Sequence, residues 1–138
     1  MKTLYGALIL TVFSWFQITA FVIAADINGL WTKTTNADPN NITIFFREKE
    51  TVRAIGFSTS QGKKTVWHAT GQIKEPRMQL SYHYSVDAIL PGWEADGIME
   101  LSISDDGNII SGVAISISGN WSGKIEFKRV QIVSPKIE

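Results

Sequence analysis

From Asp26 onward the chain alternates apolar and polar side chains with a period of two nearly everywhere. No segment shows the spacing of an amphipathic helix. The alternation predicts about eight strands, with cores at Ile27–Lys33, Asn41–Arg47, Val52–Phe57, Thr65–Ile73, Met78–Val86, Gly97–Ile103, Asn108–Ile117 and Trp121–Val130. Pairing consecutive strands through their turns gives a register. "KEPR" sets Ile73 opposite Met78, Gly71 opposite Leu80, Ala69 opposite Tyr82 and Trp67 opposite Tyr84. "EKET" sets Ile44 opposite Ile55 and Ile42 opposite Phe57. "DDG" reads as a three-residue loop with Gly107 left-handed, which sets Ile103 opposite Ile109 and Met99 opposite Val113. "SGN" sets Ile117 opposite Trp121, Ile115 opposite Gly123, Val113 opposite Ile125 and Ser111 opposite Phe127. In each hairpin these sets are expected on the core face, because a one-residue slip would turn them to water.

One apolar and one polar face over so many consecutive strands predicts an all-β, eight-stranded antiparallel up-and-down β-barrel, with a two-sheet sandwich as the alternative. Loop lengths give the barrel two unlike ends. "EKET", "KEPR" and "DDG" are short and share one end. "TTNADPNN", "STSQGKK" and "DAILPGWEAD" are long and ring the other, together with the short "SGN".

The start of the chain changes the picture of where this barrel works. After Lys2 no charge occurs until Asp26, and the apolar run between them ends in small residues. This pattern predicts a secretory signal peptide over residues 1–25, cut after Ala24 or Ala25; an uncleaved anchor is the rival. The barrel domain is expected over residues 26–133 and a frayed tail with Pro135 over 134–138. The protein is therefore expected to be secreted or periplasmic, with no membrane attachment once the leader is removed. There is no cysteine, so packing alone must hold the exported domain. Removing Lys2 leaves twelve basic residues against thirteen acidic ones, which argues against nucleic acid as a partner.

"NGLW" opens the first strand with Gly-x-Trp, and "FKRV" closes the last with an arginine on the inward face. With a barrel of this size, these stretches resemble the calycins: lipocalins, fatty-acid-binding proteins and avidins, the short chain being most similar to the avidins. The resemblance implies that Gly29, Trp31 and Arg129 form the structural motif at the closed end, the basic side chain lying across the indole. It implies a binding protein. No lipocalin Thr-Asp-Tyr loop and no set matching the biotin ureido ligands is found in the sequence.

Candidate chemistry gathers at the long-loop end. Phe57, Trp67, Tyr84 and Trp121 are expected to point inward there, with Trp93 of "ILPGWEADG" hanging over them. Rigid aromatic area with polar tips suits capture of an apolar or aromatic ligand; the same side chains alternatively plug the barrel, which at eight strands is just wide enough to be filled. Asn36 and Asp38 of the first long loop are candidates for orienting such a ligand. His68 and His83 fall on the polar outer face and lack the further ligands of a metal site. "SDDGN" reads as turn chemistry rather than a calcium loop, and Glu94 and Asp96 as solvated carboxylates. "NIT" at Asn41 and "NWS" at Asn120 are glycosylation acceptors only in a eukaryotic secretory pathway. No catalytic constellation, cofactor or metal is expected. The expected function is small-molecule binding at the open end. A protein-binding module, such as an inhibitor of an extracellular enzyme, is the alternative. Oligomeric state is left open.

Overall fold

The computed structural model describes residues 24–35, 40–60 and 62–132. Eight strands follow in order: β1 Gly29–Lys33, β2 Ile42–Glu48, β3 Thr51–Ser60, β4 Lys63–Lys74, β5 Arg77–Tyr84, β6 Asp96–Ile103, β7 Ile109–Ser116 and β8 Ser122–Arg129. Each pairs antiparallel with its chain neighbours, and β1 also pairs with β8, so the sheet closes into an up-and-down barrel.

The closed end is filled because its inward positions are large. Trp31, Phe45, Val52, Leu80, Ile110 and Phe127 are fully buried. Trp31, Phe45 and Phe127 meet edge to face, with centroids 5.8 and 5.3 Å apart, and Trp67 continues the series at 6.3 Å. Arg129 lies over Trp31, its guanidinium carbon 4.5 Å from the ring centroid, and donates to the carbonyls of Asp26, Asn28 and Gly107. Gly29 has φ of 123°, a backbone conformation that strongly favours glycine. The contact expected between Gly-x-Trp and the last strand is present.

The mouth is hollow because its inward positions are small or polar: Thr43, Gly56, Thr65, Ala114, Ser116 and Gly123. Gly56 also makes room for Trp67, since a Cβ there would sit 2.0 Å from the indole.

Sequence expectations are corrected at β2–β3, at β7 and the turn before it, and at the β3–β4 connection. The β2–β3 register is as expected, with Ile44 opposite Ile55 and Ile42 opposite Phe57, but this set faces outward. Thr43, Phe45, Val52, Ala54 and Gly56 face inward instead; both faces of the hairpin carry apolar residues, and interior room decides between them. Phe57, expected inward, is 46% exposed on the outer set. In β7 the register is displaced by one: Ile103 pairs with Ile110, Met99 with Ala114, and Ile110 with Phe127. Ile110, Gly112, Ala114 and Ser116 therefore face in, and Val113 and Ile117 are exposed. The β6–β7 connection runs from Ser104 to Asn108, longer than a three-residue turn, with Gly107 left-handed as expected. The β3–β4 ladder extends to Ser60 opposite Lys63, which leaves two residues between the strands rather than a long mouth loop.

Candidate functional site

The hairpin β4–β5 brings the mouth aromatics together. Its register is as read from the sequence, Trp67 opposite Tyr84 and Ala69 opposite Tyr82. From there a cavity of about 800 Å³ opens through the mouth, bordered by Trp67, Tyr82, Tyr84, Trp93 and Trp121. Trp67 is buried, Tyr84 half-buried, and Trp93 and Trp121 are 45% and 55% exposed at the rim. Tyr84 meets Trp93 edge to face at 5.6 Å and Tyr82 at 5.8 Å. Trp121 flanks β8, and a Cβ on Gly123 would lie 2.7 Å from its ring. Phe57 borders the cavity but belongs to the outward set. Asn36 and Asp38 lie outside the described residues.

The segment between β5 and β6 is anchored along its length. Ser85 N–H donates to Val66 O at 2.9 Å and Val66 N–H to Ala88 O at 3.0 Å. Leu90 is buried, and Trp93 N–H donates back to its carbonyl at 3.1 Å. Glu94 accepts from Ser118 N–H at 3.0 Å and from its hydroxyl, which ties the segment to the β7–β8 turn. These bonds hold Trp93 at the rim although strand packing does not require it there.

A second layer is polar. Lys33 closes β1 on the same inward set as Trp31 and borders the cavity half-buried. Asn41, itself buried, accepts from Lys33 N–H and donates to Lys33 O at 2.8 Å, so a side chain prolongs the β1–β2 ladder. The Asn41 side chain is thus buried and engaged, while that of Asn120 is exposed. Burial pulls the Lys33 pKa below its ordinary 10.5. Among the described residues the Thr35 hydroxyl, also bordering the cavity, is buried with no hydrogen-bond partner. Burial, then the nearby Tyr82, pushes Tyr84 up to about 12; Tyr82 is raised by burial and by Glu94 and Asp96. Both phenols are thus neutral donors at ordinary pH. Sequence reading missed Lys33, although its spacing from Trp31 was the signal that it points inward.

The other candidates lie elsewhere. His68 and His83 sit on the outer wall with rings 5.4 Å apart, and His83 Nδ1 is 2.6 Å from Asp96 Oδ1. Among the described residues no group of three or more His, Asp or Glu could hold a metal. The carboxyls with displaced pKa are Asp26, Glu75, Glu94 and Asp106. All are held low, chiefly by hydrogen bonds from Asn28, Arg47, Ser118 and Ser104 respectively. None is a carboxylic acid kept protonated near neutrality.

The fold and site define a closed eight-stranded antiparallel β-barrel with one filled end and one hollow end, an architecture compatible with a calycin-like barrel. Comparison with known proteins returns no matching family model, no similar curated protein and no similar solved structure.

Proposed function

We propose that this chain is an exported, non-catalytic β-barrel that captures a small molecule with an apolar or aromatic body at its open mouth. The observation that carries the reading is the cavity of about 800 Å³, within the usual range for small-molecule sites and bordered by five Trp and Tyr side chains. Trp67 and Tyr82 supply its wall, Tyr84 a wall with a neutral hydroxyl, and Trp93 and Trp121 a rim. A barrel built only to be stable has no reason to gather Thr43, Ala114, Ser116 and Gly123 around this opening. The Trp31–Arg129 contact supports a calycin-like assignment, and the avidin branch of it rests on chain length.

Export is part of the proposal. Ala25 N–H donates to both oxygens of Glu75 at 3.2 Å, and Arg47 holds the same carboxylate. Cleavage after Ala24 would turn this amide into an ammonium facing an anion. That arrangement supports a mature terminus at Ala25 over one at Asp26.

A second reading, a protein-binding module, is favoured by the outer wall of β2–β3. Ile42, Phe46, Ile55 and Phe57 are 39–49% exposed there and adjoin one another. Native mass spectrometry of protein purified from its own source separates the two. A retained small molecule, absent from a Trp93→Ala variant prepared in the same way, supports the first. A retained polypeptide with no small molecule supports the second.

A further inference from the structure

We propose that the ligand of the mouth is an organic monoanion, an aromatic or apolar body carrying one carboxylate that seats on Lys33 Nζ. The inference rests on the reading of the mouth as a ligand site and adds the ligand's charge and its orientation.

Lys33 is a cation turned into the barrel rather than out of it. It follows Trp31 on the inward set of β1, pairs with Phe127 of β8 across the barrel seam, and borders the cavity. Asn41 fixes its backbone from the other side through two hydrogen bonds. The ion pairs among the described residues are Arg47–Glu75 at the closed end and His83–Asp96 on the outer wall. Neither reaches Lys33. Among the described residues the carboxylate that borders the cavity is Glu94, and it is engaged by Ser118 through N–H and hydroxyl. Lys124, the other described cation at the border, is exposed on β8.

A lysine drawn partly out of water without a counter-charge costs stability, and the downward displacement of its pKa by burial alone agrees with that cost. A carboxylate entering the cavity supplies the missing charge and a strong, charge-assisted hydrogen bond. Thr35 Oγ1, buried at the same cavity and without a partner among the described residues, offers a donor for the second carboxylate oxygen. One inward ammonium balances one negative charge. The Trp and Tyr walls take the rest of the molecule, so a ligand that is charged throughout does not fit.

The test is isothermal titration calorimetry of the exported form at neutral pH with phenylbutyrate and with phenylbutyramide, which has the same shape without the charge. The expected result is that the carboxylate binds about 30-fold more tightly, the fold-change for one desolvated charge pair. Lys33→Met should bring the carboxylate down to the level of the amide and leave the amide unchanged; Lys33→Arg should keep most of the preference. A melting temperature of Lys33→Met no lower than that of the parent excludes a folding defect. Equal affinity of the two compounds for the parent protein overturns the inference and leaves the mouth as a site for neutral ligands. So does a preference that survives Lys33→Met. No binding of either compound overturns both.

Discussion

Trp31 and Lys33 stand two residues apart on β1 and face the same interior, yet they meet opposite fates. Trp31 is fully enclosed, its indole N–H on Ile27 O at 3.0 Å and its face covered by Arg129. Lys33 borders the cavity half-buried, and among the described residues no carboxylate pairs with it. The difference comes from the neighbours. Trp31 is paired with Thr43 and Arg129 and meets Phe45 edge to face, whereas Lys33, one step nearer the mouth, is paired with Phe127, tied to Asn41 and borders the cavity. One end of the barrel is packed as a core. The other stays hollow and keeps unsatisfied groups, a common signature of a site whose last partner is a ligand.

The comparison breaks first at Trp31. Trp31→Ala should cost about 3–5 kcal/mol in denaturant unfolding, a large part of a typical domain's stability. An unfolding midpoint equal to the parent's would mean that the closed end does not hold the barrel. Arg129→Met should come next, at about 2 kcal/mol, because it removes hydrogen bonds to carbonyls from two segments together with the cation–π contact. Chemical denaturation of the variant measures it.

At the mouth the expected pattern is reversed. Trp93→Ala should change stability by less than about 0.5 kcal/mol and weaken ligand binding by about 2 kcal/mol. A large stability loss with affinity intact would make Trp93 a plug rather than a lid.

The smallest effect is the most particular. The folded pKa of Lys33 lies below that of the unfolded chain, so its stabilising contribution is full above pH 10.5 and is lost as pH falls to the lowered value. Tyr82 and Tyr84 act oppositely: their raised values give stability that is present below pH 10.0 and lost as pH climbs through the folded values. Comparing the parent with Lys33→Met across alkaline pH isolates the lysine. The ligand-free variant should be the more stable at neutral pH, by a margin that vanishes toward pH 10.5. A Lys33→Met that is less stable than the parent at neutral pH would mean the ammonium already has a partner in the fold.

What the sequence reveals depends on how different the two faces of each strand are. In β4 and β5, Trp67, Ala69, Gly71 and Ile73 contrast fully with His68, Thr70 and Gln72, so pairing and orientation are both legible. β2 and β3 carry Ile42, Ile44, Phe46, Ile55 and Phe57 on one face and Phe45, Val52 and Ala54 on the other. Alternation fixes their register there but not which face turns inward; that is set by the volume left beside Trp31 and Trp67. β7 misleads further, because Val113 and Ile115 face out while Gly112 and Ala114 face in, where space is short. The aromatics of the mouth were legible from β4–β5 and from the long β5–β6 connection. The hollow was not, because it depends on small residues from several strands meeting at one level.

The central claim is that the mouth binds and the closed end does not, and the tryptophans report on both. Of the chain's five, Trp15 lies in the stretch proposed to be removed on export, leaving Trp31 at the closed end and Trp67, Trp93 and Trp121 at the mouth. Proton–nitrogen NMR of the exported form should resolve an indole N–H signal for each. On titration with phenylbutyrate, the signals of Trp67, Trp93 and Trp121 should move together to saturation while that of Trp31 stays still. Movement of Trp31 to the same extent, or no movement of any indole, would contradict the account.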